Sequence, residues 1–257
     1  MTAVSSARAG NCARFAARPL TVSGTAAHTW RGALAEAPEL DFSGCREIVV
    51  VAAHPDDETF GFGATASTLA HAGVRVQVVV VSDGGASLPG LTHRQSRTLA
   101  RTRHVELCTA SEVLGLPPPI WLGLPDGELA DHEDETADRL GEILTGRPGA
   151  WCAANWRGDG HPDHEAVGRA AATAAAGRGA VLLEYPVWMW HWATPDDVAV
   201  PWNRMYATPT GDEAAERKSD AAHCYRSQLD APSSGAAPVL PPFVVERLLA
   251  VREVVFR

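Results

Sequence analysis

The chain has 257 residues, 46% of them hydrophobic, which is enough for one large domain with a substantial core and excludes a disordered polymer. Its formal charge of -9 comes with scattered arginines, so the basic stripe of a nucleic-acid binder is absent. No apolar run reaches the ~18 residues of a membrane helix and the first twenty residues build no signal-peptide core, so the expectation is a soluble, cytoplasmic protein without membrane insertion.

In chain order, residues 1–42 lack a regular hydrophobic rhythm and read as an extension packed on a single domain spanning 43–257. "REIVVVAA" (Arg46 to Ala53) and "VRVQVVVVS" (Val74 to Ser82) are near-continuous apolar runs of the kind buried on both faces of a parallel sheet. Between them "ATASTLAHAG" is helical, with Gly73 as its C-terminal cap, and "HRQSRTLARTRHVELCTASEVLG" is a long helix ending at Gly115. The strand "PIWLGL", the helix near "EDETADRLGEILTG", the strand "AWCAA", the helix "HEAVGRAAATAAAG" and the strand "AVLLEYP" continue the alternation. "DAPSSGAAPVLPP" is a loop before a last strand, "VREVVFR". Repeated βα units predict an α/β, single-domain, Rossmann-like open and mostly parallel sheet with helices on both faces. Five widely spaced cysteines, odd in number, fit neither a disulfide framework nor a thiolate zinc finger and are expected to be reduced and mostly buried.

Ligands of such sheets bind outside the carboxyl ends of the strands. The first strand ends in "AHPDDE", which puts His54, Asp56, Asp57 and Glu58 at that edge and at the start of a helix. A nucleotide-binding reading fails, because "GFGATA" lacks the third glycine of the dinucleotide fingerprint and the acidic cluster repels phosphate. Acidic residues also simply favour a helix N-terminus, so this cluster alone leaves a structural role open. A second cluster, "DGHPDHEAVG", follows the strand "AWCAA", opens another helix and carries His161, Asp163 and His164. Two such clusters at one sheet edge can converge on a single metal, and two histidines plus a carboxylate with an open fourth position form a recurrent catalytic zinc set.

Together with these two motifs, "SDGG" after the second strand, "RHVE" in the long helix, "LGLPDGEL" and "YRSQ" near the end make the chain resemble the PIG-L/LmbE-like zinc-dependent N-acetylglucosaminyl deacetylases from about residue 46 onward. The resemblance implies hydrolysis of an N-acetyl group from an amino sugar, commonly N-acetylglucosamine within a larger conjugate, with one Zn2+ per chain. By that likeness His54, Asp57 and His164 match metal ligands, Asp56 the general base, and His161 the histidine that assists the oxyanion or leaving amine. Asp163 is expected to orient His161, Glu58 to support the loop, and Arg103 and Asp126 to bind the sugar, or else to serve as a salt bridge and a turn residue. Asp159 either lines the pocket or makes a turn with Gly160. The competing readings are a catalytically silent sugar-binding relative and a metallophosphoesterase; the latter needs a further set of bridging ligands. Trp188, Trp190 and Trp192 alternate in "EYPVWMWHWATP", so an extended chain would put three indoles on one side, as core or as the wall of a substrate cleft.

Overall fold

Ile48, Val50 and Ala52 of the first strand face one side of a sheet, and Val49 and Val51, with Ala53 just beyond, face the other; all six are fully buried. The period-two alternation and burial on both faces explain why this run reads as continuous hydrophobe. A computed structural model describes residues 10–257 except 233, 234 and 236. The first nine residues of the extension and those three positions of the late loop therefore lie outside the described residues.

Five parallel strands form the centre: β1 (Glu47–Ala52), β2 (Arg75–Ser82), β3 (Ile120–Leu124), β4 (Trp151–Asn155) and β5 (Leu182–Tyr185). β6 (Met205–Ala207) and β7 (Val254–Phe256) complete a seven-stranded sheet in the order β3-β2-β1-β4-β5-β7-β6, with β7 antiparallel to both neighbours. Chain direction thus runs outward from β1 through β2 on one side and from β4 through β5 on the other. The β1/β4 boundary is the switch point where a crevice opens at the carboxyl edge.

On one face α5 (Glu133–Thr145) and α6 (Pro162–Arg178) pack Leu140, Leu144 and Val167 against Val49, Val51 and Val79. The other face carries α3 (Asp57–His71), α4 (His93–Val113), α8 (Asp212–Ala222) and α10 (Pro242–Ala250). Helix α3 starts seven residues before the stretch that reads as helical in the sequence, because Gly61 and Gly63 weaken its apparent propensity. Gly61 is required there: a Cβ would collide with the ring of Tyr185. Helix α8, helix α10 and the three-residue β6 went unassigned in the sequence.

The described part of the extension is α1 (10–16) and α2 (Ala27–Ala33). Trp30 of α2 is fully buried, donates from Nε1 to Trp190 O at 2.9 Å, and meets the Trp190 ring edge-on at 5.1 Å. This segment therefore shares the main core. The tryptophan segment is not extended but forms a helical turn, α7 (Met189–Trp192), with α9 (Arg226–Leu229) a second short turn further on. The three indoles consequently diverge: Trp190 packs on Trp30, Trp192 stacks on Trp156, and Trp188 lines a cleft. All five cysteines are free, but only Cys45 and Cys152 are buried, so the expectation of mostly buried thiols is not met. No helix among the described residues is long and apolar enough to cross a membrane.

Candidate metal and catalytic site

Beyond β1 the chain turns sharply into α3. Asp56 takes φ 128°, a conformation side chains rarely adopt, and its carbonyl accepts the first helical bonds from Thr59 and Phe60. Strain of this kind costs on the order of 1–3 kcal/mol and persists only where the surroundings impose it. Here Asp56 N–H donates to Glu58 Oε2 at 3.0 Å, and Glu58 in turn accepts from Thr59 Oγ1 and from the buried Tyr225 hydroxyl. The "YRSQ" segment thus clamps the loop from behind. Its Ser227 also caps Glu106 of "RHVE", donating from N and Oγ at 2.7 and 2.6 Å.

The second loop, between β4 and α6, reaches the same point. Asn155, at the end of β4, accepts from Ala53 N at 2.8 Å and contacts His164 Nδ1 at 3.2 Å, tying the two loops together. His54 Nδ1, His164 Nε2 and Asp57 Oδ2 form a triangle with sides of 3.2, 3.3 and 3.1 Å. Donors arranged tetrahedrally at about 2.0–2.1 Å from a zinc ion stand about 3.3 Å apart, so the triangle fits such an ion. The opposite ring nitrogens are both held by carboxylates. His164 Nδ1 lies 2.8 Å from Asp159 Oδ2, while His54 Nε2 lies 3.0 Å from Asp163 Oδ2 and 3.1 Å from Asp126 Oδ1. A proton on the outer nitrogen leaves the inner one as a donor to metal.

Electrostatics agree with the geometry. Burial would depress the pKa of both rings, yet His54 is driven well above the ordinary histidine value by Asp126, Asp163 and Asp57, and His164 rises to about 9 through Asp57 and Asp159. Burial would likewise raise Asp57, but the two imidazoles hold it well below the usual carboxylate range. The cluster demands positive charge at this spot, and a divalent cation meets that demand with both imidazoles neutral.

The remaining predicted residues fall around the triangle. Asp56 is buried and pushed up to about 7 by desolvation, against the pull of Arg103. Arg103, 2% exposed, donates to Gly84 O, Pro55 O and Asp56 Oδ2 at 3.1, 2.6 and 3.1 Å, so its described bonds are internal. Asp126 accepts from Ala86 N at 2.8 Å as well as facing His54. His161 caps α6, and its ring centroid stands 5.0 Å from that of His54 and 4.8 Å from that of His164. Burial and the two neighbouring imidazoles push its pKa down to about 3, and Nδ1 accepts from Asp163 N, so the neutral ring carries its proton on Nε2. The Asp163 side chain does not turn toward His161. It accepts from Gly127 N and Leu129 N and meets His54. His54, Asp126 and Asp163 also approach within metal-ligating distances, but through the outer nitrogen of a ring whose inner nitrogen belongs to the triangle. This group reads as hydrogen bonding that orients the ring.

Sequence reasoning underrated Asp159. It is fully buried and accepts from Val187, Trp188 and Met189 N–H groups besides holding His164. The only hint was its place ahead of "GHPDH". Asp159→Asn is expected to lower metal affinity about 10–100-fold, because an amide cannot hold the His164 proton as a carboxylate does; calorimetric metal titration measures it.

The triangle opens into a cleft of about 360 Å³ that Asp56, Arg103, Asp126 and His161 also line. Comparison with known proteins accords with this arrangement. The family model PIG-L, GlcNAc-PI de-N-acetylase, matches residues 49–175, which contain both histidine motifs. The chain is 33% identical over 175 residues to a 1D-myo-inositol 2-acetamido-2-deoxy-alpha-D-glucopyranoside deacetylase of Kineococcus radiotolerans, covering 52% of this chain and 46% of the relative. It is 30% identical over 135 residues to a probable N-acetyl-alpha-D-glucosaminyl L-malate deacetylase 2 of Bacillus cereus, covering 51% and 61%. The matches thus span about half the length of these curated relatives. In fold the chain is similar to N,N'-diacetylchitobiose deacetylase from Pyrococcus horikoshii, with TM-score 0.61 and 22% identity over 80% of this chain and 78% of that one. With matching motifs, sheet and relatives, the chain belongs to the PIG-L/LmbE-like GlcNAc-PI de-N-acetylase family.

Proposed function

We propose that the protein hydrolyses the acetamide of an N-acetylated amino sugar, an N-acetylglucosamine-type conjugate, with a zinc ion held by His54, Asp57 and His164. The observation that carries this reading is the triangle of two imidazole nitrogens and one carboxylate oxygen, 3.1–3.3 Å on a side, facing a cleft beside an unligated carboxylate. Zinc in such a site supplies Lewis acidity, making water a better nucleophile and an amide carbonyl a better electrophile.

Asp56 accepts the proton of the attacking water. Its strained backbone turns it away from the ligand set, and Arg103 orients the receiving oxygen. His161 lines the same cleft with its Nε2–H available to hydrogen-bond the oxyanion, and the proton that Asp56 takes from water passes on to the departing amine. Asp163 and Asp126 hold the His54 ring, and Asp159 that of His164. The sugar itself is bound at the cleft face of Asp126, while Arg103, its guanidinium engaged by Gly84 O, Pro55 O and Asp56, takes the salt-bridge role instead. The geometry gives no support to a metallophosphoesterase, whose two ions need a second independent donor set.

Acetate release from N-acetylglucosaminyl conjugates tests the reading. Purified protein is expected to hold about one zinc per chain, to lose activity on chelation and to regain it when zinc is restored. Full deacetylation by a metal-free sample overturns it.

A further inference from the structure

We infer that the cleft contains a second, apolar subsite, built in part by the N-terminal segment, that takes an uncharged apolar aglycone on the sugar. This rests on the deacetylase reading and names its substrate class. Phe15 and Leu20, which precede β1 and lie outside the stretch matched by the family model, line the same cleft as His54 and Asp57. Val187, Trp188, Leu240 and Leu248 continue the wall.

The wall begins one ring away from the metal triangle. The Phe15 centroid lies 5.0 Å from Trp188 and 6.3 Å from His161, itself 5.0 Å from His54. Among the described residues, the charged groups on the cleft lining all belong to the catalytic end: His54, Asp56, Asp57, Arg103, Asp126 and His161. Of the neutral polar ones, Ser87 has a buried Oγ with no partner, and Gln228 is the other side chain. Such a pair can serve a sugar ring. It cannot satisfy the several hydroxyls of a polyol acceptor, which would be desolvated against Phe15 and Trp188 at a cost of roughly 1–3 kcal/mol each. An apolar aglycone incurs no such cost and gains about 25 cal/mol for each Å² it buries.

The segment is fixed in place. Asn11 Nδ2 donates to Gly158 O at 2.9 Å, the Arg18 carbonyl lies 2.9 Å from His191 Nε2, and Arg14 pairs with Asp197 at 2.8 Å. Gly160, at φ 93°, makes the approach possible, since a Cβ there would come within 3.0 Å of Phe15 Cβ.

The test compares phenyl 2-acetamido-2-deoxy-glucopyranoside with the corresponding myo-inositol glycoside, by acetate release and by calorimetric binding to the chelator-treated protein. The unsubstituted chain is expected to favour the phenyl glycoside at least about tenfold in kcat/KM and in Kd. Phe15→Ser and Leu20→Gln are each expected to bring that ratio to within about threefold of unity, with melting temperatures identifying any variant that has merely loosened; Trp188→Ala is the third probe of the wall. Preference for the inositol glycoside, or a phenyl preference that survives in variants melting like the parent, overturns the inference. Acetate release from neither glycoside overturns the deacetylase reading instead, while the binding ratio still decides whether the wall selects apolar groups.

Discussion

Asp56→Asn is expected to cut kcat by about 10²–10⁴-fold while leaving zinc content unchanged, because proton transfer by a positioned base contributes that much to a hydrolysis. The two neighbouring aspartates are separated by backbone geometry. Asp57 begins α3 and accepts from His54 N at 2.9 Å, which directs its Oδ2 at both imidazoles. Asp56, one residue earlier at φ 128°, is thrown to the other side of the turn, where Arg103 meets it. The amide keeps an oxygen for Arg103 but cannot accept a proton at that point. Metal analysis and turnover measured on Asp56→Asn and Asp57→Asn together check the division: zinc lost from the first and kept by the second would reverse the two roles.

The central sheet was legible because β1 and β2 bury both faces over most of their length, so their sequences are apolar almost without interruption. The two histidine motifs were legible for a related reason. Polar residues at the carboxyl end of a buried strand have few structural uses, and two such ends flank the switch point. What escaped is what depends on distant chain segments. Asp159 gives no sign in sequence that it gathers three N–H groups from 187–189. Likewise, nothing near Glu58 announces that a tyrosine 167 residues away will bond it. The alternating tryptophans suggested a strand by their period, yet the backbone turns through α7, so only Trp188 reaches the cleft. In Asp163 the sequence spacing suggested a partner for His161, but the backbone N–H, not the carboxylate, makes that bond.

His164→Ala is expected to abolish specific zinc binding and turnover together, and to uncouple stability from metal. His164 is fully buried at the first turn of α6, with one nitrogen on the triangle and the other on Asp159. Removing the ring takes away one of three donors, and it leaves Asp57 and Asp159 as buried carboxylates that have each lost a partner. Breaking a buried pair from one side costs about 3–5 kcal/mol, so the variant is expected to melt below the parent under all conditions. The parent, by contrast, should lose stability when its ion is removed: at a zinc concentration 100 times Kd the ion contributes about 2.7 kcal/mol. For a chain of this size that corresponds to a fall of about 5–10 °C in Tm on chelation. His164→Ala should show no such fall. The two melting curves, with and without chelator, therefore separate a lost ligand from a damaged fold, since a variant that still responds to chelation retains its metal site and removes His164 from the ligand set.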